Sequence, residues 1–494
     1  MRKYLIISVF CMVFLAAGVT VAQDQTPCQS ENRVEYLAVF MDGHKIGHGI
    51  STRTVEAARV TTTETMTLAI TRGGTSIPIT ISETSIETPD GKPLGFETTQ
   101  QFSGMVMQSK GTLNSLGKLD VESTVGTMTQ KQTIDWSQEA LMAQGARLQL
   151  IRKNLKEGDN FTVKVFSAAL MTAIETEFRI GATKNVDLLG RVVPLTEVTN
   201  IVKMPTGNVV SITYTDHEFN VQKADIPIMG MNIELIACNR QFATSENDVA
   251  DFIERMCIPS PVPLENFEAA QSITYHLTPK GQEQLKIYTD ENQTARPDGK
   301  GGLLVTVKPV QPPSGAAFPY KGKDKIALES LEPTRFLQSD DKTIIALARR
   351  AVGDTKDAAQ AAKKIESFVH DYIDEKNLSV GYASAAEVAA SRQGDCSEHA
   401  VLTAALCRAV GIPARVAMGD VYCSEFAGRK NIFGGHAWNQ AYIGGKWIGL
   451  DATRAPNGYA AGHITEAVGN GNPEDFFALI HIIGQFDITE IEQK

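Results

Sequence analysis

Apolar positions in the first half of the chain alternate with polar ones instead of recurring every third or fourth residue. From about Glu31 to Ala243 the chain is rich in Thr, Val and Ile, and the period of two is plain over Val60–Thr71, Thr75–Glu87, Asn160–Phe166 and Val209–Tyr214. Residues two apart share one side of a strand, so each run predicts a strand with one buried face. Asp42-Gly43, Arg72-Gly73-Gly74, Pro89-Asp90-Gly91 and Gly158-Asp159-Asn160 separate the runs with turn residues. This half reads as a large antiparallel sheet, sandwich or open barrel. One stretch departs from the pattern. Within Trp136–Leu155, Leu141, Leu148, Ile151 and Leu155 recur at helical spacing and predict an inserted helix.

Pro259, Pro261 and Pro263 mark a linker, Gln271–Val310 gives further strand-like pieces, and Pro312-Pro313 to Pro319 forms a second break. After Ser339 the period changes. Asp341–Val352 and Thr355–Ile373 predict helices, and in the second Ala358, Ala361, Ala362, Ile365, Phe368, Val369 and Tyr372 form one apolar stripe for a core. A short helix over Ser384–Arg392 precedes a longer one from Asp395 to Val410. Strands follow at Ala414–Tyr422, Ala437–Ile443 and Lys446–Asp451. The expected division is a leader at 1–22, a β-rich domain at 23–255, a linker with a small β module at 256–335, and an α+β domain at 336–494.

Residues 1–22 have the pattern of a secretory signal peptide. Arg2 and Lys3 precede an almost unbroken apolar run from Tyr4 to Val19, and Thr20 and Ala22 stand at the −3 and −1 spacing of a cleavage site. The run is short for a bilayer-spanning helix of about 20 residues. An exported product, periplasmic or secreted, with no stable membrane insertion after cleavage, is the expectation. The formal net charge of −10 falls to −12 once Arg2 and Lys3 are removed. That sign argues against a general nucleic-acid binder, which must neutralise phosphates. Six cysteines remain, Cys28, Cys238, Cys257, Cys396, Cys407 and Cys423, and Cys238 with Cys257 is a plausible disulfide. A zinc site of Cys396-x-x-His399 with Cys407 and Cys423 lacks the paired spacing of structural sites. His44 and His48 stand beside a turn and do not read as a ligand pair.

The candidate chemistry lies in two segments. In Gly394-Asp395-Cys396-Ser397-Glu398-His399-Ala400, Asp395 is a good N-cap and Glu398 occupies the capping-box position three residues on. Cys396 is then the first residue of a helix that is apolar on every side, ended by Gly411 and Pro413. The positive end of such a helix favours a thiolate, and its N–H groups suit a developing oxyanion. In the second segment, the runs Gly434–Ile443 and Lys446–Thr453 flank Gly444-Gly445 as a tight hairpin. A two-residue loop pairs Ile443 with Lys446 and puts His436 and Asp451 on one face as diagonal neighbours, about 7–8 Å apart. A slip of one residue would separate them. Cys396, His436 and Asp451 thus fit a nucleophile, a general base and the carboxylate that orients it.

The order and spacing of these residues, with Gly-Asp-Cys-Ser-Glu-His-Ala (394–400), Arg-Ala-Val-Gly-Ile-Pro-Ala-Arg (408–415), Gly-His-Ala-Trp-Asn (435–439) and Trp-Ile-Gly-Leu-Asp-Ala-Thr (447–453), resemble the transglutaminase-like superfamily of papain-like cysteine enzymes. The resemblance covers roughly Ser339 to Gly462. It implies acyl transfer from a peptide bond or a glutamine side chain through a thioester on Cys396. The acceptor is an amine in crosslinking, or water in deamidation and proteolysis; the triad is common to all three. It implies a protein or peptide substrate and neither metal nor cofactor. Tyr382, and less well Gln393, are candidates for a second oxyanion donor. The competing expectation is a binding or assembly protein on the same scaffold without activity. The residues before about 270 resemble no family.

Overall fold

The computed structural model describes residues 32–494 except 73–74, 103–104, 126–127, 154, 205–206, 229–230, 249–256, 281–284, 377–382, 427 and 471–484. Residues 1–22, expected as a leader, and Cys28 and Tyr382 lie outside the described residues. The chain divides into two compact units, with the boundary in sequence between 251 and 252.

The described residues of the N-terminal unit form a sheet that is antiparallel except at one edge. Fifteen strands, from β1 (Arg33–Met41) through β4 (Thr75–Glu87), β9 (Ala140–Leu141) and β10 (Asn160–Ser167) to β15 (Met231–Cys238), form a single sheet. β1 and β15 pair in its middle, with Ala38 opposite Ile236. The first and last parts of the unit therefore lie side by side, and the sheet's edges are β9 and Met128–Asp135. The alternation seen in sequence is the alternation of burial: along β4, Ile77, Ile79, Ile81, Ser85 and Glu87 are buried.

The inserted helix α1 spans Ala143–Lys153, shorter than the expected Trp136–Leu155. Ala140–Leu141 forms an edge strand parallel to β10, and Trp136 packs its ring on Phe166 at 4.8 Å. Those upstream residues are held by sheet pairing and aromatic packing, which override the helical spacing of Leu141. A carboxylate from β4 caps the start of α1. Glu87 Oε2 accepts from Gln144 N at 2.6 Å and Oε1 from Gly145 N at 2.8 Å, while the Arg53 guanidinium donates to Gln144 Oε1 at 3.1 and 3.2 Å. The first N–H groups of a helix have no partner inside it, so a buried start needs such an acceptor. Gly91 and Gly145 let the backbones touch here: a Cβ on Gly91 would stand 2.7 Å from Gly145 Cα.

Cys238 carries a free thiol, so the expected bridge to Cys257 is not formed; the two residues belong to different units.

The C-terminal unit contains two sheets. The first orders β16 (Ile258–Pro259), β21 (Arg429–Ile443), β20 (Ala414–Phe426) and β23 (His463–Gly469), with β22 (Lys446–Leu450) hydrogen bonded to β21. The second orders β18 (Gln293–Pro297), β19 (Leu303–Val307), β17 (Ile273–Pro279) and β24 (Phe486–Gln493). The small β module of 256–335 thus takes its edge strand from the end of the chain. The two sheets share a core of Tyr275, Val305, Val307, Tyr422, Phe433, Ile464 and Phe486. Helices α2 (Lys342–Val352), α3 (Ala358–Tyr372) and α4 (Ala385–Ser391) surround a central helix, α5 (Cys396–Ala409). The N-cap carboxylates Asp341 and Asp357 accept from Ile344 N and Gln360 N, which sets the starts of α2 and α3.

The cap on α1 gives the first prediction. Glu87→Ala leaves two buried helix N–H groups without an acceptor and lowers the stability of the N-terminal unit by about 1–3 kcal/mol. Urea unfolding measures the loss, and hydrogen exchange locates it as faster exchange over 143–153.

Candidate active site

The site begins at the start of α5. Gly394 adopts φ +150, and a Cβ there would stand 2.2 Å from Glu398 Cβ, so only glycine fits ahead of the helix. Asp395 Oδ1 accepts from Ser397 N at 3.0 Å and the carboxylate also takes the N–H of Glu398, while Glu398 Oε2 accepts from Asp395 N at 2.9 Å. Glu398 is fully buried, and its other oxygen accepts from Ala383 N at 3.0 Å, tying the loop before α4 to the cap. Burial, and then the neighbouring Asp395, push the Glu398 carboxyl up to about 8. Every residue from Ser397 to Arg408 is buried, whereas Cys396 itself is partly exposed. The helix is held inside the unit and presents its first side chain outward.

The strand beside it carries His436. Gly444 and Gly445, at φ +58 and +85, make the hairpin turn, and Ile443 pairs with Lys446 as the two-residue loop predicts. The ladder runs to Asn439 opposite Leu450, so Asp451 is the first residue beyond it. There Asp451 turns the chain as the N-cap of a 3-10 turn over Ala452–Arg454. Asn439 Nδ2 donates to Ala400 O at 2.8 Å, which fixes the strand against α5 three residues from His436.

His436 Nε2 lies 2.8 Å from Asp451 Oδ2, which leaves Nδ1 as the nitrogen available to Cys396, whose side chain acts on the same ring. The three residues singled out from the sequence therefore come together in one place. Burial disfavours a charged ring, but the charge and hydrogen bond of Asp451, and then those of Cys396, outweigh it and raise His436 to about 10.

Asp451 is wholly buried and every one of its bonds is accounted for. Oδ2 accepts from His436 and also approaches His463 Nε2 at 3.0 Å; Oδ1 accepts from Thr453 N at 2.9 Å and Arg454 N at 3.3 Å. Its own N–H donates at 2.7 Å to Glu366 Oε1 on α3, and Glu366 pairs with Lys363. Burial works against the charge, yet His436 and then His463 hold this carboxyl well below the usual range.

Three other residues weighed from the sequence lie outside this set, His399 and Cys407 as the packed residues expected of them and Gln393 in place of the second oxyanion donor for which it was a candidate. His399 is a packed helix histidine whose Nδ1 donates to Asp395 O at 2.7 Å, and burial lowers its pKa. Cys407 is buried in the middle of α5, its thiol pushed up to about 12. Gln393 bridges to Glu375 through its backbone. Sequence reasoning missed His463 and Glu366. Glu366 had a legible signal, a charge lying among the buried positions Ala362, Ile365 and Val369 of α3. His463 had none, since only the pairing of β23 with β20 returns it to the site. His436, Asp451 and His463 offer three ligating atoms within 4.8 Å of one another, a spacing that could receive a metal ion. In this structure the carboxylate oxygen Oδ2 lies at hydrogen-bond distance from both imidazole nitrogens, at 2.8 and 3.0 Å.

Residues 345–452 match the transglutaminase-like superfamily, so the C-terminal unit carries a transglutaminase-like domain. No curated protein matches the chain at a significant level. Among solved structures the chain is similar to a candidate cysteine protease from Cytophaga hutchinsonii, at 20% identity over 48% of this chain and 86% of that one, with a TM-score of 0.30. It is also similar to a beta-barrel-like protein of a domain of unknown function from Brucella abortus, at 12% identity over 42% and 96%, TM-score 0.34. A third likeness, to a TGase, has 13% identity over 53% and 66%, TM-score 0.21. These scores carry no functional weight, which rests on the residues themselves. Among the described residues no helix is long and apolar enough to cross a membrane.

A pH dependence follows from the raised His436. Its unfolded value is 6.5 and its folded value about 10, so the folded unit binds this proton more tightly than the unfolded chain. The stabilisation is complete below pH 6.5 and is lost as pH rises through about 10. Urea midpoints of the C-terminal unit should fall between neutral pH and about pH 10, and Asp451→Ala should flatten that slope.

Proposed function

Taking residues 345–452 as a transglutaminase-like domain, we propose that this unit is a cysteine acyltransferase or amidase acting on carboxamides of proteins or peptides. The observation that carries the reading is the imidazole of His436 fixed on a buried, fully hydrogen-bonded Asp451, with the Cys396 side chain acting on the same ring. A nucleophile, a base in contact with it and a group orienting the base are the minimum set for covalent acyl transfer.

In this reading the Cys396 sulfur attacks the carboxamide carbon, the new C–S bond forms, and the carbonyl electron pair moves onto oxygen. The Asp395 carboxylate takes the N–H groups of Ser397 and Glu398. The N–H of Cys396 itself is then the donor that the helix start offers to the oxyanion. His436 passes its proton to the leaving amine as the C–N bond breaks, which leaves a thioester. The neutral ring then takes a proton from the acceptor as the acceptor attacks the thioester carbon, and the C–S bond breaks with its electron pair returning to the Cys396 sulfur. Water as acceptor gives proteolysis or deamidation, and a primary amine gives a crosslink. Asp451 stays ionised throughout and keeps Nε2 of the ring occupied, so that Nδ1 faces sulfur. The reading includes export by way of residues 1–22, which would bring the enzyme to substrates outside the cytoplasm.

The test is digestion of a peptide library by purified protein with and without a primary amine, read by mass spectrometry. Cleaved or deamidated peptides in both arms identify a hydrolase; amine-modified peptides identify an acyltransferase. Cys396→Ala should abolish either product, and Asp451→Asn should lower kcat by about 10³–10⁴-fold, the cost of losing an orienting carboxylate. No product in any arm, together with Cys396 alkylation no faster than that of a model thiol, would leave a scaffold for binding or assembly in place of an enzyme.

A further inference from the structure

Asp451 Oδ2 has a second imidazole on it. His463, the first residue of β23, is fully buried, and its Nε2 lies 3.0 Å from the same oxygen that His436 engages at 2.8 Å. The other nitrogen, Nδ1, faces both backbone groups of Ala460, the N–H at 3.2 Å and the carbonyl oxygen at 3.0 Å. In the neutral tautomer that meets the carboxylate, Nδ1 accepts from Ala460 N and the single N–H lies on Nε2, pointing at Asp451. Burial favours that neutral form. The ring is held by packing as well, with Tyr459 at 4.8 Å and Trp438 edge-on at 5.1 Å.

We propose that His463 is a positioning residue of the active site, a fixed neutral donor that holds the Asp451 carboxylate ionised and turned toward His436. The inference rests on the reading of Cys396, His436 and Asp451 as the reacting set. The physical need is specific. A carboxylate with no solvent contact must be satisfied by protein donors, and one that can rotate between partners gives the catalytic ring no fixed direction. The two N–H groups of Thr453 and Arg454 fix Oδ1, and His463 fixes Oδ2 beside His436. A neutral second imidazole does this without adding a positive charge that would compete with the His436 imidazolium for the anion. The other charged groups around the carboxylate are accounted for. Glu366, paired with Lys363, accepts the Asp451 backbone N–H from α3, and Arg454 lies in the turn that Asp451 caps. Cys396 on α5 acts on the ring of His436.

The experiment follows alkylation of Cys396 by iodoacetamide across pH, with the modified peptide identified by mass spectrometry. His463→Phe keeps a ring in the cavity but removes the donor. It should slow alkylation at neutral pH by about 10–100-fold, the range for a lost hydrogen bond to a charged group. It should also move the alkaline limb, where His436 loses its proton, to lower pH by about one unit. His463→Gln, whose side-chain amide can donate from nearly the same place, should return both to within about threefold of the parent. A structural role alone would move neither the limb nor its rescue. If His463→Phe leaves rate and limb unchanged while His436→Ala and Asp451→Ala slow the reaction, the inference is overturned and the proposed function stands. If those two variants also react like the parent, the proposed function falls and the inference with it. Should His463→Phe lose its thermal transition, His463→Gln decides: parental behaviour supports the inference and slow alkylation overturns it.

Discussion

A single carboxylate with no access to solvent sets the geometry of the C-terminal unit. Removing Asp451 from water costs several kcal/mol unless every lone pair is met. The fold meets them from three directions: the strand carrying His436, the strand beginning at His463, and the turn that Asp451 itself caps. Its backbone is anchored separately by Glu366 from α3. Each of these elements is thereby placed relative to the others, and the imidazole facing Cys396 inherits its position from them.

The start of α5 obeys the same constraint with the opposite sign. A helix buried along almost its whole length cannot leave its first N–H groups unsatisfied, and the cap formed by Asp395 and Glu398 supplies acceptors within the segment. Because that cap is complete, the helix can sit deep in the unit and still expose its first residue. The N-terminal unit solves the problem with a distant residue. Glu87 on β4 reaches α1 across 57 positions of sequence, so the inserted helix is fixed to the sheet by an acceptor that its own sequence lacks. Capping within a segment is visible in sequence; capping from afar is not.

Aromatic and amide contacts connect the layers of the C-terminal unit to the site. Asn439 holds the strand to α5, and Trp438 packs against the rings of both His436 and His463. The motif Gly-His-Ala-Trp-Asn therefore combines a reacting ring, a wall and a clamp in consecutive residues. The second sheet supports this layer from behind, with the Tyr275 ring edge-on to Phe433 and its hydroxyl donating to Ala461 O at 2.8 Å.

Local patterns along the chain determined a good deal by themselves. The period of two specified the strands of the first half, the helical stripes specified α2 and α3, the Asp-x-x-Glu pattern specified where α5 begins, and the glycine pair fixed the hairpin register that pairs Ile443 with Lys446. Each of these is a short-range consequence of backbone geometry and so can be read without a fold. The tertiary structure alone decided that Trp136 and Leu141 leave the helix for a sheet edge, that Cys238 stays a free thiol, and that the final strand completes a sheet begun some two hundred residues earlier. It also decided that Glu366 and His463 converge on Asp451. Satisfying a buried charge is a demand on three-dimensional neighbours, and nothing in the spacing of those residues encodes it.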